Sequence, residues 1–551
     1  MKISLVIQDN KIVVSLLLIC WCLRLPLLGE GCPTCSSTHT QRQDKTLPHM
    51  TSNVNEVSGK SFDYIIVGGG TTGCPLAATL SERFSVLLVE RGGSPYGNPL
   101  VIDKRFYGLS LIQTDEYLSV AQRFVSDDGI PNLRGRVLGG SSALNAGFYS
   151  RASGDFVKRV GWNEEMVKDA YEWVESKVVF KPKLTPWQRA TESSFLETGI
   201  LPYNGYSLEH IEGTKVGGSI FDQCGKRHTS ADLLMASNSK NMTILLNTTV
   251  MDVIFGNNGK TAEKIALGIR FIKSDGSSHI IHRVYLNQPN DSSSWGDVIL
   301  AAGALGSPQI LMLSGIGSYK HLKNFNLTLV TDLKRVGHGI QDNPALSILV
   351  DSKPQKRLPD TPQVVGIVDK FKIIMESGIV PVSFNQTRIR ISAKLAFPYS
   401  KGKLELNNTN PRNNPSVKFN YLAREEDSRG CIRVAKLLQK VERSHSIALF
   451  LGTEKHKNYV LNMTSEDELK KFCKNNVRTF YHYHGGCNVG SVVDKEYRVY
   501  GVNGLRVVDG STFSESPGTN PMATLLMLGR YQGKKILQER MSTANCDQQH
   551  R

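Results

Sequence analysis

The chain has 551 residues, of which 40% are hydrophobic and 21% are charged, and its formal net charge is +16. This length can bury a large core, as one long domain or as two interleaved domains. Lysines and arginines are scattered among carboxylates, with no basic stripe interleaved with aromatic residues. The charge therefore indicates a solvated basic surface and no nucleic-acid partner.

The first residues have the pattern of a secretory signal. Lys2 and Lys11 precede an apolar run at residues 12–23, which is short for a membrane span, and Pro26 follows it. We predict that residues 1–30 are a cleaved signal peptide, with an N-terminal anchor as the alternative. The protein is then expected in the secretory pathway or outside the cell, as a monomer with no stable membrane partner.

Sequons for N-glycosylation are frequent, as a secreted glycoprotein would require. They lie at Asn241, Asn247, Asn290, Asn326, Asn385, Asn407 and Asn462.

The cysteines suggest one disulfide. Cys431 and Cys473 each lie on a predicted helix, and we predict that they form a disulfide worth about 4 kcal/mol. No Cys/His spacing suggests zinc, so no metal site is predicted. The remaining cysteines include three without an assigned partner, which are Cys224, Cys487 and Cys546.

A βαβ unit begins near residue 61. Phe62–Val67 is a short β-branched and apolar run, typical of a strand buried on both faces, and glycines follow at 68, 70 and 73. Helical spacing of apolar residues covers 72–83, and a second buried strand at 85–89 ends in Glu90.

This unit predicts a dinucleotide site. Gly68 makes the tight turn, Gly70 lets the backbone approach a pyrophosphate, and Gly73 lets the helix pack on the strand. Glu90 can accept hydrogen bonds from the ribose hydroxyls of an adenosine, and the Glu90-Arg91-Gly92 sequence favours FAD over NAD. The alternative is a glycine-rich turn in another α/β protein.

A second surface of small residues follows at 134–153 (RGRVLGGSSALNAGFYSRAS). A large flat ligand could approach its backbone closely. One glycine loop binds phosphate, whereas two such loops indicate a long cofactor.

Four later stretches, together with these two, resemble the flavin-dependent glucose–methanol–choline (GMC) oxidoreductases. The stretches read GALGSPQILMLSGIG at 303–317, VGHG with DNP at 336–344, FYHYHGGCNVG at 480–490 and LRVVDGSTFSESPGTNPMATLLMLG at 505–529. The ordered matches run from residue 62 to about 540, which makes the resemblance specific.

The resemblance implies an α/β (α+β) fold, in which a Rossmann-like FAD-binding domain is interleaved with an antiparallel-sheet substrate domain. Asn163 is predicted to cap a helix of the substrate domain, and Lys403–Leu406 and Val417–Tyr421 are predicted strands. The FAD domain would use residues 61–155, 215–345 and 478–540, and the substrate domain would use 156–214 and 346–477.

The resemblance also implies the residues that meet FAD. Binding is expected to be non-covalent, because Leu144 stands where some relatives attach FAD through a histidine. The expected cofactor residues are Gly68, Gly70, Thr71, Thr72, Gly73, Glu90, Arg91, Val137, Ser141, Asn145, Ala146, Gly147, Phe148, Val250, Tyr483, Asp509, Gly510, Pro521 and Met522. Asp509 could instead be a structural turn acid.

Two positions carry the expected chemistry. His484, before the paired glycines, matches the catalytic base of the family, and a neutral imidazole there could take the hydroxyl proton of an alcohol while hydride leaves for flavin N5. Asn520 would bond the substrate oxygen. On an extended segment His482 and His484 point to the same side, so His482 is either a second pocket residue or a structural histidine.

Two reactions fit the resemblance. Within the family the sequence is similar to plant (R)-mandelonitrile lyases and to HOTHEAD-like proteins, so the substrate is a small or long-chain alcohol to be oxidised at its CH–OH group or, alternatively, a cyanohydrin to be cleaved with non-redox FAD. The segment 345–394 is short beside the family pattern, which bears on the size of the pocket. A flavin-binding protein of little activity and a structural protein are the remaining readings.

Overall fold

The computed structural model describes residues 48–257, 264–288, 296–350, 358–452 and 461–549, which all lie within one compact unit that spans Lys45–Arg551. The predicted signal peptide and the sequon at Asn290 lie outside the described residues. Within the part of the chain that is described, no helix combines the length and the apolar content that a bilayer crossing needs.

A parallel sheet forms one half of the unit. Its strands are rich in β-branched and aliphatic residues and are buried on both faces, as expected for a parallel sheet covered by helices. In spatial order they are His49–Thr51, Met242–Leu245, Val86–Val89, Tyr64–Val67, Val298–Leu300 and Leu505–Val507, with every neighbouring pair parallel.

The two faces of this sheet pack into separate clusters, because successive side chains on a strand point to opposite faces. Tyr64 and Ile66 belong to the cluster that includes the helices Gly73–Leu80, Glu164–Val178 and Met522–Gln549. Ile65 and Val67 belong to the cluster on the other face, which includes the helix Gly303–Leu313. That second cluster also covers a mainly antiparallel sheet of Thr248–Asn257, Lys264–Lys273, His282–Leu286 and Ser61–Phe62, with Val502–Asn503 beside Lys264–Lys273.

A seven-stranded sheet forms the other half. Its order is Arg478–Thr479, Pro344–Val350, Gln386–Leu395, Ile373–Ser383, Val364–Val368, Gly213–Val216 and Tyr203–Tyr206. All neighbours are antiparallel except the last pair.

This sheet has one apolar face and one polar face. Ile389, Ile391 and Ala393 pack with apolar residues of the helices Pro186–Glu197, Glu425–Glu442, His445–Phe450 and Glu466–Asn476. The alternate residues of the same strand, including Arg390 and Lys394, therefore point the other way, toward the parallel half.

Shorter elements complete the described chain. The strands are Ala121–Val125 with Pro131–Gly135, Phe148–Tyr149 with Gly218–Ser219, Ile316–Gly317 with Thr331–Asp332, and a sheet of His338–Ile340, Gly402–Glu405 and Ser416–Lys418. The helices are Pro99–Ile102, Leu109–Ile112, Gly154–Arg159 and Tyr319–Lys323.

The predicted elements occur with shifted ends. The Asn163 side chain accepts a hydrogen bond from Met166 N and caps Glu164–Val178, as predicted. The predicted strand at 62–67 is divided, since Ser61–Phe62 pairs with His282–Leu286 at the edge of the mainly antiparallel sheet and Tyr64–Val67 lies in the parallel sheet. All described residues belong to one compact unit, so the division into two interleaved domains stays a prediction.

Candidate active site

A cavity of about 430 Å³ lies where the two halves meet. One wall consists of residues at the carboxyl ends of the parallel strands, among them Val67, Glu90 and Ala301, where open α/β sheets bind their ligands. The opposite wall includes the polar face of the seven-stranded sheet.

The first glycine loop is held by close backbone contacts. A Cβ on Gly73 would lie 1.9 Å from Gly68 O, and Gly68 itself has a φ of +107° with Ala301 O at 2.5 Å from its Cβ position. Gly70 is different, since its nearest neighbours would be 3.9 Å away and it lines the cavity. Gly68 and Gly73 therefore shape the loop, and Gly70 presents its backbone to the ligand space.

Glu90 lies at the end of its strand, in the cavity wall. Its Oε2 accepts a hydrogen bond from Gly69 N at 2.9 Å, and its Oε1 accepts one from Gly92 N at 2.8 Å. Burial raises the pKa of this carboxyl. Each oxygen keeps a further acceptor position, so the geometry suits a ribose with two hydroxyl donors.

The second small-residue loop contacts the first. A Cβ on Gly140 would lie 2.7 Å from Gly70 Cα, so the two loops meet along one side of the cavity. Two adjoining surfaces without bulky side chains fit a long flat cofactor such as FAD.

The predicted cofactor residues line this cavity with two exceptions, Gly73 and Val137. Gly73 is a packing residue, as its contact with Gly68 O shows. The side chain of Val137 is buried with Val101 and Ala143, so the predicted cofactor contact of Val137 stays a prediction. Asp509 lines the cavity and also caps a short helix by accepting from Ser511 N, so it combines both predicted roles.

The two histidines differ in their relation to the large cavity. His482 and Asn520 line it, whereas His484 lines only a smaller adjoining void, whose wall also includes His482 and Pro521. His484 does not line the large cavity, and its predicted place in the substrate pocket stays a prediction. The segment lies outside the regular strands of the described chain and is flanked by two residues with positive φ, Tyr481 at +61° and Gly485 at +85°.

His484 is a neutral imidazole with a defined tautomer. Its Nδ1 lies 2.9 Å from the carbonyl oxygen of His482, which can only accept, so Nδ1 carries the proton. Its Nε2 is buried and has no hydrogen-bond partner. Burial lowers the pKa of His484 to about 4.

His482 makes its contacts through Nδ1. That atom lies 3.0 Å from Lys394 Nζ and 3.2 Å from Asn343 Oδ1. Burial, followed by the charge of Lys394, lowers the pKa of His482 well below its usual value. No residue in the described part of the chain hydrogen-bonds to its Nε2, which leaves that atom available to a ligand.

The sequence reasoning missed a charged patch on the polar sheet face. Glu376 and Arg390 line the cavity, and Lys394 lies beside His482. Glu376 Oε2 accepts from Asn520 Nδ2 at 3.2 Å. The available signal was positional: a lysine at 394 and an arginine at 390 alternate with apolar residues in a strand whose apolar face is buried.

Cys431 and Cys473 lie next to each other. Both are buried thiols in the structure, and a hydrogen bond to Cys473, followed by burial, raises the pKa of Cys431. The predicted disulfide between them stays a prediction. Cys224 is disulfide-bonded. Among the described residues, no group of His, Cys, Asp and Glu side chains could hold a metal ion.

Comparisons with known proteins agree with this geometry. Two family models, both described as GMC oxidoreductase, match residues 62–345 and 398–529. Protein HOTHEAD of Arabidopsis thaliana is 41% identical, over 87% of this chain and 89% of its own. (R)-mandelonitrile lyase 1 of Prunus serotina is 40% identical over 88% of each chain. Sinalpyl alcohol oxidase Nec3 of Nesocodon mauritianus is 38% identical over 87% of this chain and 89% of its own.

Solved structures show the same fold at low sequence identity. Formate oxidase of Aspergillus oryzae superposes with a TM-score of 0.74 at 18% identity, over 88% of this chain and 100% of that one. Pyridoxine 4-oxidase of Mesorbium loti gives 0.72 at 20% identity, over 86% and 98%.

Proposed function

Because the chain belongs to the GMC oxidoreductase family, whose cofactor is FAD, we propose that it oxidises the CH–OH group of an alcohol with His482 as the base. The observation that carries this proposal is the position of His482 and Asn520 in the wall of one cavity. When bound, FAD supplies the acceptor for the hydride.

The side chains divide the remaining work. Nε2 of His482 would take the hydroxyl proton, since Nδ1 is already occupied by Lys394 and Asn343. Asn520 would orient the substrate oxygen, and its contact with Glu376 holds the amide in place. The glycine loops would exclude water from the reacting atoms by close contact with the flavin.

A matched pair of variants tests the base. In His482→Gln we expect turnover to fall about a thousandfold, because general-base catalysis is lost, while FAD stays bound. In His484→Gln, two residues away and outside the cavity wall, we expect most of the turnover to remain. The measurement is anaerobic bleaching of the flavin band by aromatic and long-chain alcohols. The reverse result would restore His484 as the base.

A second reaction is favoured by one observation, the 40% identity to a mandelonitrile lyase over 88% of each chain. The same Nε2 of His482 would remove the hydroxyl proton of a cyanohydrin as cyanide departs. Benzaldehyde release from mandelonitrile with an unchanged flavin band would support this reaction. Bleaching by an alcohol would support oxidation.

We also propose that FAD is bound without a covalent link, since Leu144 lines the cavity at the position where a histidine would attach it. Acid precipitation should leave the flavin in the supernatant. Flavin that remains with the precipitated protein would contradict this.

Secretion with glycosylation is a further part of the proposal. Five sequon asparagines are exposed, whereas Asn241 is half-buried and its Nδ2 donates to Ser81 O at 2.9 Å. Peptide mapping of protein secreted from plant cells should find glycans at exposed sequons and none at Asn241. The exposed positions are Asn247, Asn326, Asn385, Asn407 and Asn462.

A further inference from the structure

Lys394 is a buried cation that the proposed reaction does not use. It lies on the strand Gln386–Leu395 and its side chain has no exposed surface. Its Nζ is 3.0 Å from Nδ1 of His482 and donates to Thr519 O at 3.1 Å. Burying a lysine without a direct carboxylate contact is costly, so its position calls for a reason.

Nδ1 of His482 has two partners. A hydrogen bond with one of them requires a protonated Nδ1, and a hydrogen bond with the other requires an Nδ1 without a proton. The Asn343 amide is fixed, since its Nδ2 donates to Leu395 O at 2.7 Å and to Ala396 O at 2.9 Å. Its Oδ1, 3.2 Å from the ring, can therefore only accept a proton from Nδ1. An ammonium at Lys394 can only donate to Nδ1, so one nitrogen cannot satisfy both partners at once.

Whether Nδ1 carries the proton determines whether Nε2 presents a lone pair or an N–H group to the cavity, because a neutral imidazole carries one proton. When Lys394 is protonated, Nδ1 is bare and Nε2 carries the proton, so Nε2 can donate but cannot act as a base. When Lys394 is neutral, Nδ1–H donates to Asn343, and Nε2 has a free lone pair. A substrate O–H bond can then break as an Nε2–H bond forms.

We propose that Lys394 is a positioning residue whose own proton decides whether Nε2 of His482 meets the substrate as an acceptor or as a donor. This inference rests on the proposed role of His482 as the base. It makes the lysine, rather than the histidine, the group that sets the acid limb of the pH profile.

The surrounding charges support a change of protonation near neutrality. Burial lowers the pKa of Lys394 to about 7, against the opposing effect of the carboxylates of Glu376 and Asp342. The pKa of His482 is held well below its usual value, so His482 itself would not titrate there. The titratable or charged groups around Lys394 are Glu376, Asp342, His482, His484, His210 and, farther along its own strand, Arg390.

The tautomer of His482 can be read without any substrate. In FAD-loaded protein with ¹⁵N-labelled histidine, nitrogen NMR should show His482 protonated at Nε2 below pH 7 and at Nδ1 above it, with His482→Gln identifying its signals. In Lys394→Met the Nδ1–H form should persist across the range. A wild-type tautomer that does not change with pH would overturn the proposal, even if the variant failed to fold.

Turnover gives the second readout. In the wild type, kcat/KM should rise about tenfold per pH unit below an apparent pKa near 7, and this limb should vanish in Lys394→Met. Lys215→Met is the control: Lys215 is also buried, has its pKa lowered by burial to about 7, and contacts Ser150 Oγ at 2.8 Å instead of a histidine.

The two readouts separate the two proposals. A limb that persists in Lys394→Met, or that disappears equally in Lys215→Met, would refute the role of Lys394. A tautomer change without any turnover of alcohols or cyanohydrins would instead refute the proposed function and leave the lysine effect intact.

Discussion

The two walls of the cavity are built on different principles. The cofactor wall includes glycine loops, and their close contacts are made by the backbone, such as those of Gly73 with Gly68 and of Gly68 with Ala301. The opposite wall consists of charged and polar side chains from distant segments, such as Lys394 and His482. The function of the first wall depends on the space that its glycines leave, and the function of the second depends on the protonation of its side chains. Substitutions in the two walls should therefore have different effects.

The largest effects are expected on the cofactor wall. Gly73→Ala would place a Cβ 1.9 Å from Gly68 O, so we expect no folded, yellow protein. Gly70→Ala has 3.9 Å of clearance within the chain, so it should fold but bind FAD about a hundredfold more weakly, because the backbone can no longer approach the pyrophosphate.

Flavin absorbance per protein and titration of the apoprotein with FAD measure both changes. Gly154→Ala is the control, since a Cβ there meets no atom within 4 Å. Equal FAD affinity in Gly70→Ala and the wild type would show that Gly70 does not face the cofactor.

The next largest effect is on the stability of the protein in acid and concerns His484, which does not line the large cavity. Its pKa of about 4 lies below the usual 6.5, so between these pH values the unfolded chain binds a proton that the folded chain does not. Stability present above pH 6.5 is therefore lost as pH falls toward 4, by about 3 kcal/mol for this residue. Urea unfolding at a constant excess of FAD should show a smaller loss over this range in His484→Gln. An identical loss of stability in the wild type and in His484→Gln would contradict the lowered pKa of His484.

The smallest expected effect is a change in the pH dependence of turnover, caused by a substitution in the wall of charged and polar side chains. Glu376→Gln removes a carboxylate whose charge raises the pKa of Lys394. We expect the acid limb of kcat/KM to move to lower pH by about one unit, with the FAD content unchanged. Glu172→Gln, an exposed carboxylate on an outer helix, is the matched control. A shift to higher pH would mean that another group sets the limb.

The difference between the walls also explains which predictions succeeded. The glycine turn, the buried strands and the Asn163 cap follow from neighbours in sequence, and the structure contains all three. The family motif also named Asn520 as a site residue, and Asn520 lines the cavity. The sequence pattern also indicated the family, which the comparisons confirm.

The sequence pattern did not predict the contacts between segments that are distant in the chain. Only the structure shows that His482 lines the large cavity and that His484 does not.

The sequence by itself determined the βαβ unit, its glycine loops and the family, because backbone geometry of this kind is encoded in contiguous residues. Only the tertiary structure decided which histidine lines the large cavity and that Lys394 lies beside it. The physical reason is that a lysine at 394 reads as a surface residue until the register of its strand places it on a buried polar face, 3.0 Å from an imidazole 88 positions later.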